Sequence, residues 1–248
     1  MTIPMTLTAR PWLIAVALLS LLALSPAHAG MTPQEVEVFK DAKAWAEKGE
    51  AEGQLNLGIC YTKGEGVAKD DVEAVAWFRK AAAQGFAPAQ TLLGNCYFGG
   101  EGVPKDQALA VTWYRKAAEQ GNASAQMSLG ECYGGGKGVE KDFVQAVNWY
   151  RKASEQGYVL AQYNLGGCYA NGEGVAKDQI EAYAYWNQGT VEYARKKLAA
   201  LEKQMTAEQI AAGKKRTKEL KRELEDKIYE NALQKEFAAR IAEKPDRK

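Results

Sequence analysis

Residues 51–85 read AEGQLNLGICYTKGEGVAKDDVEAVAWFRKAAAQG, and variants of this stretch follow three more times along the chain. Cysteine recurs every 36 residues, at Cys60, Cys96, Cys132 and Cys168. A fixed period of this length indicates a repeat architecture, because one helical hairpin cannot bury its apolar stripe without a neighbour. The sequence therefore predicts an all-α fold, a right-handed α-solenoid of stacked helix-turn-helix repeats of 36 residues.

Each unit predicts two helices that pack closely. In the first helix of the first unit, Leu57 and Tyr61 are four residues apart, as on one face of a helix. Gly58 lies between them, although glycine in a helix interior costs ~1 kcal/mol relative to alanine. Its recurrence at the 36-residue interval predicts a neighbouring helix too close for a Cβ atom. The second helix carries Trp77 and Phe78 among alanines, which predicts an aromatic core stripe.

The turn GEGVAKD separates the two helices. Its two glycines permit left-handed backbone angles. Asp70 is the predicted N-cap of the second helix, and Glu73 is placed to complete a capping box. The same pairing recurs as Asp142 with Gln145 and as Asp178 with Glu181.

The chain divides into four predicted parts. They are a signal peptide at 1–29, an N-terminal capping helix at 30–49, four repeats at 50–85, 86–121, 122–157 and 158–193, and a charged helical extension at 194–248. Thr32 and Glu35 predict the start of the capping helix. Residues 214–248 hold 12 basic and 8 acidic residues, a net charge of +4. This tail is either a solvated helix or a helix that docks on a partner or on the protein itself.

The N-terminus has the composition of a secretory leader. The apolar run PWLIAVALLSLLALS at 11–25 follows Arg10 and precedes Ala27-His28-Ala29. Such a run is shorter than the ~20 residues of a membrane-spanning helix. It predicts a signal peptide cleaved after Ala29 and a periplasmic or secreted protein with no membrane span after cleavage. An uncleaved N-terminal anchor is the alternative.

Composition excludes several classes of function. The net charge of +1 does not indicate a nucleic-acid-binding protein. The only histidine, His28, lies in the predicted leader, so catalytic triads and histidine metal sites are not expected. Equivalent cysteines on stacked hairpins should be about 9–10 Å apart, beyond the ~7 Å of a disulfide. We expect buried free thiols, with disulfides between neighbours as the alternative, and no metal or cofactor.

Three elements recur in the units: Ala-x-x-x-Leu-Gly-x-x-Tyr, Gly-x-Gly-Val-x-x-Asp, and two aromatic residues before Arg-Lys-Ala. The leading alanine is Gly53 in the first unit, and the last element is missing from the fourth. This pattern resembles the Sel-one-like repeat family, which is related to tetratricopeptide repeats. The resemblance covers about residues 50–193 and the half-unit before them. It implies an α-solenoid that serves as a protein-interaction scaffold or adaptor. Since the predicted mature chain lacks histidine, we also expect the protein to be non-enzymatic.

Positions that differ between units are candidates for recognition, since they do not serve the shared fold. By resemblance to tetratricopeptide repeats, the varying positions of the first helices line a concave groove. The candidate partner-binding residues are Leu55, Ile59, Thr91, Asn95, Phe98, Met127, Glu131 and Tyr163. The expected partner is another envelope or secreted protein, bound as an extended peptide or a helix. The alternatives are a module that binds cell-wall glycan or peptide and a hydrolase of cell-wall or β-lactam substrates, although no Ser-x-x-Lys motif is present.

Overall fold

The computed structural model describes residues 31–188 and 192–242 of the 248-residue chain. The predicted signal peptide and its cleavage site lie outside these residues. The described residues form eleven helices: α1 (Pro33–Glu47), α2 (Ala51–Lys63), α3 (Asp71–Ala83), α4 (Ala87–Gly99), α5 (Gln107–Glu119), α6 (Ala123–Gly135), α7 (Phe143–Ser154), α8 (Val159–Asn171), α9 (Gln179–Gln188), α10 (Glu192–Glu202) and α11 (Ala207–Ala242).

The described residues belong to two compact units. The first unit comprises 31–89 and 101–104, and the second comprises 90–100, 105–188 and 192–242. In the first unit α1 packs on α2 and α2 packs on α3. In the second, each helix from α5 to α9 packs on the next, and α9 also contacts α10 and α11. This consecutive stacking of helix pairs confirms the predicted all-α fold of hairpin repeats.

The capping helix α1 begins as its sequence predicts. The Thr32 hydroxyl accepts a hydrogen bond from the Glu35 backbone N–H at 3.2 Å, and the Glu35 carboxylate accepts one from the Thr32 N–H at 2.6 Å. Both bonds satisfy N–H groups that the first turn of a helix leaves unpaired. Ala42 and Ala46 are buried in the cluster that includes Leu57 of α2. The helix therefore starts from a local signal and is held by its contact with α2.

The recurring glycine of each first helix faces an aromatic ring of the second helix. A Cβ atom on Gly58 would lie 2.5 Å from the Phe78 ring, far inside van der Waals contact. The later repeats have the same arrangement, in the pairs Gly94–Tyr114, Gly130–Tyr150 and Gly166–Trp186. The predicted close approach is thus confirmed, and the helix pays the propensity cost of glycine for an aromatic contact in the core.

The turn between the two helices departs from the predicted capping box. Asp70 caps α3, since its carboxylate accepts hydrogen bonds from the Val72 and Glu73 N–H groups at 3.0 Å. The reverse bond was wrongly predicted, because the Asp70 N–H donates to the Tyr61 carbonyl at 2.9 Å instead. The Glu73 carboxylate accepts from the Trp77 indole at 2.9 Å. The same backbone hydrogen bond forms in the other three turns. There the backbone N–H groups donate to tyrosine carbonyls, in the pairs Asp106–Tyr97, Asp142–Tyr133 and Asp178–Tyr169.

The predicted aromatic stripe divides into two parts. The ring beside the glycine is buried in every repeat, as Phe78 is at 2% exposure. The preceding tryptophan is only half-buried, and a lysine ammonium covers its ring. The distances from ammonium to ring centroid are 3.5 Å for Lys80 over Trp77, 4.4 Å for Lys116 over Trp113 and 4.1 Å for Lys152 over Trp149. These tryptophans therefore lie at the border of the core, where an aromatic face attracts a cation.

The C-terminal extension docks on the fourth repeat through the first half of α11. Thr206 and Gln209 form a capping box at the start of α11: the Thr206 N–H donates to the Gln209 side-chain oxygen at 2.8 Å, and the Gln209 N–H donates to the Thr206 hydroxyl at 3.2 Å. Thr217 and Leu220, in the first half of α11, are buried. Further along, Tyr229, Leu233 and Phe237 are exposed. The first half of α11 thus docks on the protein itself, whereas the second half is a solvated helix, so each of the two alternatives for the tail holds for one half. Along the described chain, no helix has both the length and the apolar character needed to cross a bilayer.

An ion-pair network holds this first half in place. The Arg216 guanidinium contacts the Glu181 carboxylate of α9 at 2.7 Å and the Glu223 carboxylate at 2.8 Å. The Lys227 ammonium contacts the carboxylate of Glu155, which directly follows α7, at 2.6 Å. Burial lowers the pKa of Arg216, but the hydrogen bonds of its guanidinium to the Glu223 and Glu181 carboxylates outweigh this effect and raise it, so the guanidinium stays charged.

Candidate functional site

The predicted binding residues of the first unit differ in exposure. Leu55 is buried at 9% exposure, and Ile59 is half-buried. Both lie on α2, whose Leu57 and Cys60 face the core that α1 and α2 share. Solvent therefore reaches Ile59 but very little of Leu55.

Two predicted residues of the second unit are also buried. Thr91 is 4% exposed and Met127 is 5% exposed. The Thr91 hydroxyl lies 3.3 Å from the Asn122 side-chain oxygen, and the Met127 sulfur lies 3.7 Å from the Asn164 amide nitrogen. Thr91 and Met127 thus contact the following repeat, so a partner cannot reach them without a rearrangement.

The remaining predicted residues of α4 and α6 line a surface that solvent reaches. Asn95 and Glu131 are exposed, and Phe98 is half-buried. The Tyr114 hydroxyl donates to the Asn95 side-chain oxygen at 2.8 Å, and the Phe98 and Tyr114 ring centroids are 6.4 Å apart. These contacts hold the Asn95 amide and the Phe98 ring in fixed orientations, which lowers the entropy cost of binding.

Glu131 places on this surface a carboxyl group whose pKa is shifted by its surroundings. Although its side chain reaches solvent, the protein around the carboxylate raises its pKa above the ordinary value, and the Lys137 ammonium opposes the rise. The Lys137 ammonium lies 5.6 Å from the Phe98 ring. The Lys137 ammonium, the Glu131 carboxylate and the Phe98 ring therefore lie near one another on this surface.

The last predicted residue, Tyr163, borders a hollow of about 300 Å³, which we call the Tyr163 hollow. The Tyr163 ring meets the Tyr193 ring edge-on at 4.5 Å between centroids. The Trp186 indole donates to the Tyr163 carbonyl at 3.0 Å. The wall also includes Tyr150, Asn164, Gly167, Asn171, Glu173 and Lys197. The hollow thus combines aromatic surface with amide groups, one lysine and one glutamate.

Sequence reasoning missed Asn164, Tyr193 and Lys197 as parts of this surface. Asn164 was detectable, since its position varies among the four units, which hold Asn56, Leu92, Ser128 and Asn164. It also hydrogen-bonds the hydroxyl of the buried Tyr150, whose pKa burial raises. Tyr193 and Lys197 carried no such signal, because they belong to α10, where the repeat pattern has ended.

The cysteines lie in the protein interior. All four are buried, as predicted, and none of them forms a disulfide within the part of the chain that the structure describes. Burial raises the pKa of Cys132 and of Cys168 to about 11, so these thiols are protonated and unreactive at neutral pH. Across residues 31–188 and 192–242, no group of three or more histidine, cysteine, aspartate or glutamate side chains is arranged to hold a metal ion.

Comparison with known proteins identifies the repeat. The Sel1 repeat model matches residues 51–86, 87–122, 123–158 and 159–189. The crystal structure of a protective antigen of uropathogenic Escherichia coli strains, described as having an SLR fold, is 35% identical with a TM-score of 0.71. That match covers 79% of this chain and 43% of the antigen, so the chain spans less than half of that protein.

A second solved structure matches over most of its length. The Sel1 repeat protein from Oxalobacter formigenes is 34% identical with a TM-score of 0.62, and the match covers 75% of this chain and 84% of that one. No protein with a curated description matches the chain. Four matched repeats and a relative of this identity and coverage establish that the chain belongs to the family of Sel1 repeat proteins.

Proposed function

We propose that this Sel1 repeat protein is an exported, non-enzymatic scaffold or adaptor that binds a partner protein through the first helices of its repeats. One observation carries the proposal. The glycine–aromatic contacts are alike in all repeats, whereas the exposed positions beside them differ, as Asn95 and Glu131 do. Residues free of a shared structural duty can be selected for recognition. Membership in a family of interaction repeats supports the same conclusion.

The chemistry of the Tyr163 hollow favours an extended peptide that carries residues of both charges. The side-chain amides of Asn164 and Asn171 can donate to and accept from a peptide backbone. Tyr163 supplies a rigid aromatic surface, the exposed Lys197 ammonium attracts a carboxylate, and the Glu173 carboxylate attracts a cation. A partner segment with an apolar side chain beside both an acidic and a basic residue fits this arrangement.

The test is site-specific photo-crosslinking in cells that express the full chain. A photoreactive amino acid replaces Asn95 or Asn171, both exposed on this surface. The matched control replaces Val144, which is 56% exposed on α7. We expect one envelope protein to be cross-linked from the first two positions and not from Val144. Equal cross-linking from all three positions would contradict the proposal.

A second measurement separates recognition from folding. Lys197→Glu reverses the charge at the hollow without removing a core side chain, since Lys197 is exposed. We expect a synthetic peptide from the cross-linked partner to bind this variant at least about tenfold more weakly, with an unchanged circular dichroism spectrum. Lys196→Glu serves as the control. Lys196 directly precedes Lys197 on α10 but does not line the hollow.

Export is part of the same proposal and has its own test. Fractionation of cells followed by N-terminal sequencing should find the protein outside the cytoplasm with Gly30 as its first residue. A cytoplasmic protein that retains Met1 would refute export and leave the interaction surface to be tested separately.

A further inference from the structure

Two glycines that the fold does not require border the Tyr163 hollow. Gly134 of α6 and Gly167 of α8 both line it, and neither has the positive φ that makes glycine necessary in a turn. A Cβ atom on Gly134 would make ordinary contacts, the nearest at 3.5 Å, and one on Gly167 would meet nothing within 4 Å. Glycine is the least favourable helix residue after proline, so packing and propensity do not account for either. What both glycines provide is space in the hollow.

The preceding repeat shows what occupies such a space. By the 36-residue register, Gly134 corresponds to Phe98, and Tyr150 corresponds to Tyr114. The Phe98 and Tyr114 rings pack with their centroids 6.4 Å apart, so the chain itself places an aromatic ring there in the second repeat. In the third repeat Gly134 contributes no side chain, although Tyr150 still borders the space. The Tyr163 hollow is therefore open at a place where the same fold elsewhere holds an aromatic ring.

The charged neighbour of this place differs between the two repeats. The Lys137 ammonium lies 5.6 Å from the Phe98 ring, whose face attracts a cation. The corresponding residue one repeat later is Glu173, which is half-buried and lines the hollow. The Asn171 amide donates to its carboxylate at 3.4 Å, and a carboxylate can accept further hydrogen bonds. A carboxylate in this position favours a ring that carries an O–H or N–H donor.

We propose that the Tyr163 hollow receives one tyrosine or tryptophan side chain of the partner, with its ring placed as Phe98 is in the second repeat and its O–H or N–H donating to Glu173. This inference rests on the proposed function and adds the residue type that the partner must present. The Tyr163 and Trp186 side chains supply further aromatic wall for such a ring. The volume of about 300 Å³ is at the low end of ligand pockets, roughly 300–1,000 Å³, and suits a single side chain.

Titration with blocked amino acids tests the inference before any partner is known. The probes are N-acetyl-L-tyrosinamide and N-acetyl-L-phenylalaninamide, added to isotope-labelled protein expressed from the full chain. The readout is the NMR shift of the Trp186 indole N–H, which borders the hollow. We expect a saturable shift and a dissociation constant at least about tenfold lower for the tyrosine probe, because only its hydroxyl can donate to a charged acceptor. Glu173→Ala should abolish this preference. No saturable shift, or no preference for tyrosine in the wild type, would overturn the inference.

Filling the hollow from within gives a second test. Gly134→Phe supplies the ring that Phe98 supplies in the second repeat, so it should leave the circular dichroism spectrum unchanged and abolish binding of the tyrosine probe. Gly167→Leu fills the hollow from α8 and should have the same effect, so the test does not depend on one variant. Gly135→Phe is the matched control, because Gly135 does not line the hollow and its Cβ would meet only the flexible Lys137 side chain. Unchanged binding in folded Gly134→Phe or Gly167→Leu would overturn the inference.

The cross-linked partner separates this inference from the proposed function. A partner peptide that binds the wild type and Gly134→Phe equally well would refute the aromatic site and leave the adaptor function standing. Binding of the tyrosine probe in the absence of any cross-linked partner would support the site and count against the adaptor function.

Discussion

The packing of α8 makes a prediction about two adjacent glycines. A Cβ atom on Gly166 would lie 2.5 Å from the Trp186 indole, whereas a Cβ atom on Gly167 would meet nothing within 4 Å. Both are helical, so alanine at either position gains ~1 kcal/mol of helix propensity. At Gly167 this gain is unopposed. Gly167→Ala should therefore stabilise the protein, and Gly166→Ala should test the close approach.

The cost at Gly166 follows from the surroundings of Trp186. The indole is 6% exposed and donates to the Tyr163 carbonyl at 3.0 Å, so it cannot swing aside without losing that bond. Overpacking of this kind costs about 1–3 kcal/mol, and a lost hydrogen bond adds about 1 kcal/mol. After the propensity gain is subtracted, Gly166→Ala should destabilise the protein by about 2 kcal/mol.

Urea unfolding followed by circular dichroism measures both variants. The unfolding midpoint should fall for Gly166→Ala and rise for Gly167→Ala, with similar slopes. Trp186→Phe in the Gly166→Ala background removes part of the ring that clashes. The double variant should therefore be destabilised by less than the sum of the single changes. If Gly166→Ala were as stable as the wild type, the glycine–aromatic contact would not be the reason for the recurring glycine.

Three further predictions concern the second unit. Among the described residues, the buried Trp113 indole nitrogen has no hydrogen-bond acceptor. Leu109→Glu would supply one, so it should stabilise the protein by about 1 kcal/mol and raise its melting temperature. An unchanged melting temperature would contradict this explanation. Arg216→Ala should speed hydrogen exchange in the first half of α11, whereas Arg222→Ala, at an 85% exposed side chain, should not; equal effects would refute the role of the ion-pair network. Cys132, whose pKa burial raises to about 11, should react with a thiol reagent at pH 8 only after denaturation, and rapid labelling of the folded protein would show that it is accessible.

Local signals predicted the helices and most of their ends. The Thr32 capping box forms as predicted because all of its atoms lie within one helical turn. The Asp70 box forms only in part, because the Asp70 N–H finds the Tyr61 carbonyl across the turn. That competitor is nine residues away in sequence, beyond the reach of a capping motif. Sequence reasoning succeeded where one turn of helix decides the contact and failed where the fold of the hairpin does.

The candidate site was predicted less completely than the fold. Comparison of the four units identified positions that vary, and Asn95 and Glu131 are indeed exposed. The same comparison could not separate them from Thr91 and Met127, which are buried. Variation between repeats reports freedom from a shared structural duty, and a residue buried against a neighbouring repeat can also vary when its neighbour does. The binding role of all these positions stays a prediction.

The sequence by itself determined the repeat, its helices and the close approach at Gly58, because the 36-residue period states each of them four times. Only the tertiary structure decided which half of α11 docks, which varying side chains reach solvent, and that Val38 and Trp45 of α1 lie uncovered by the rest of the described chain. The reason is physical. Period and propensity act along the chain, whereas burial depends on which surfaces of distant helices meet.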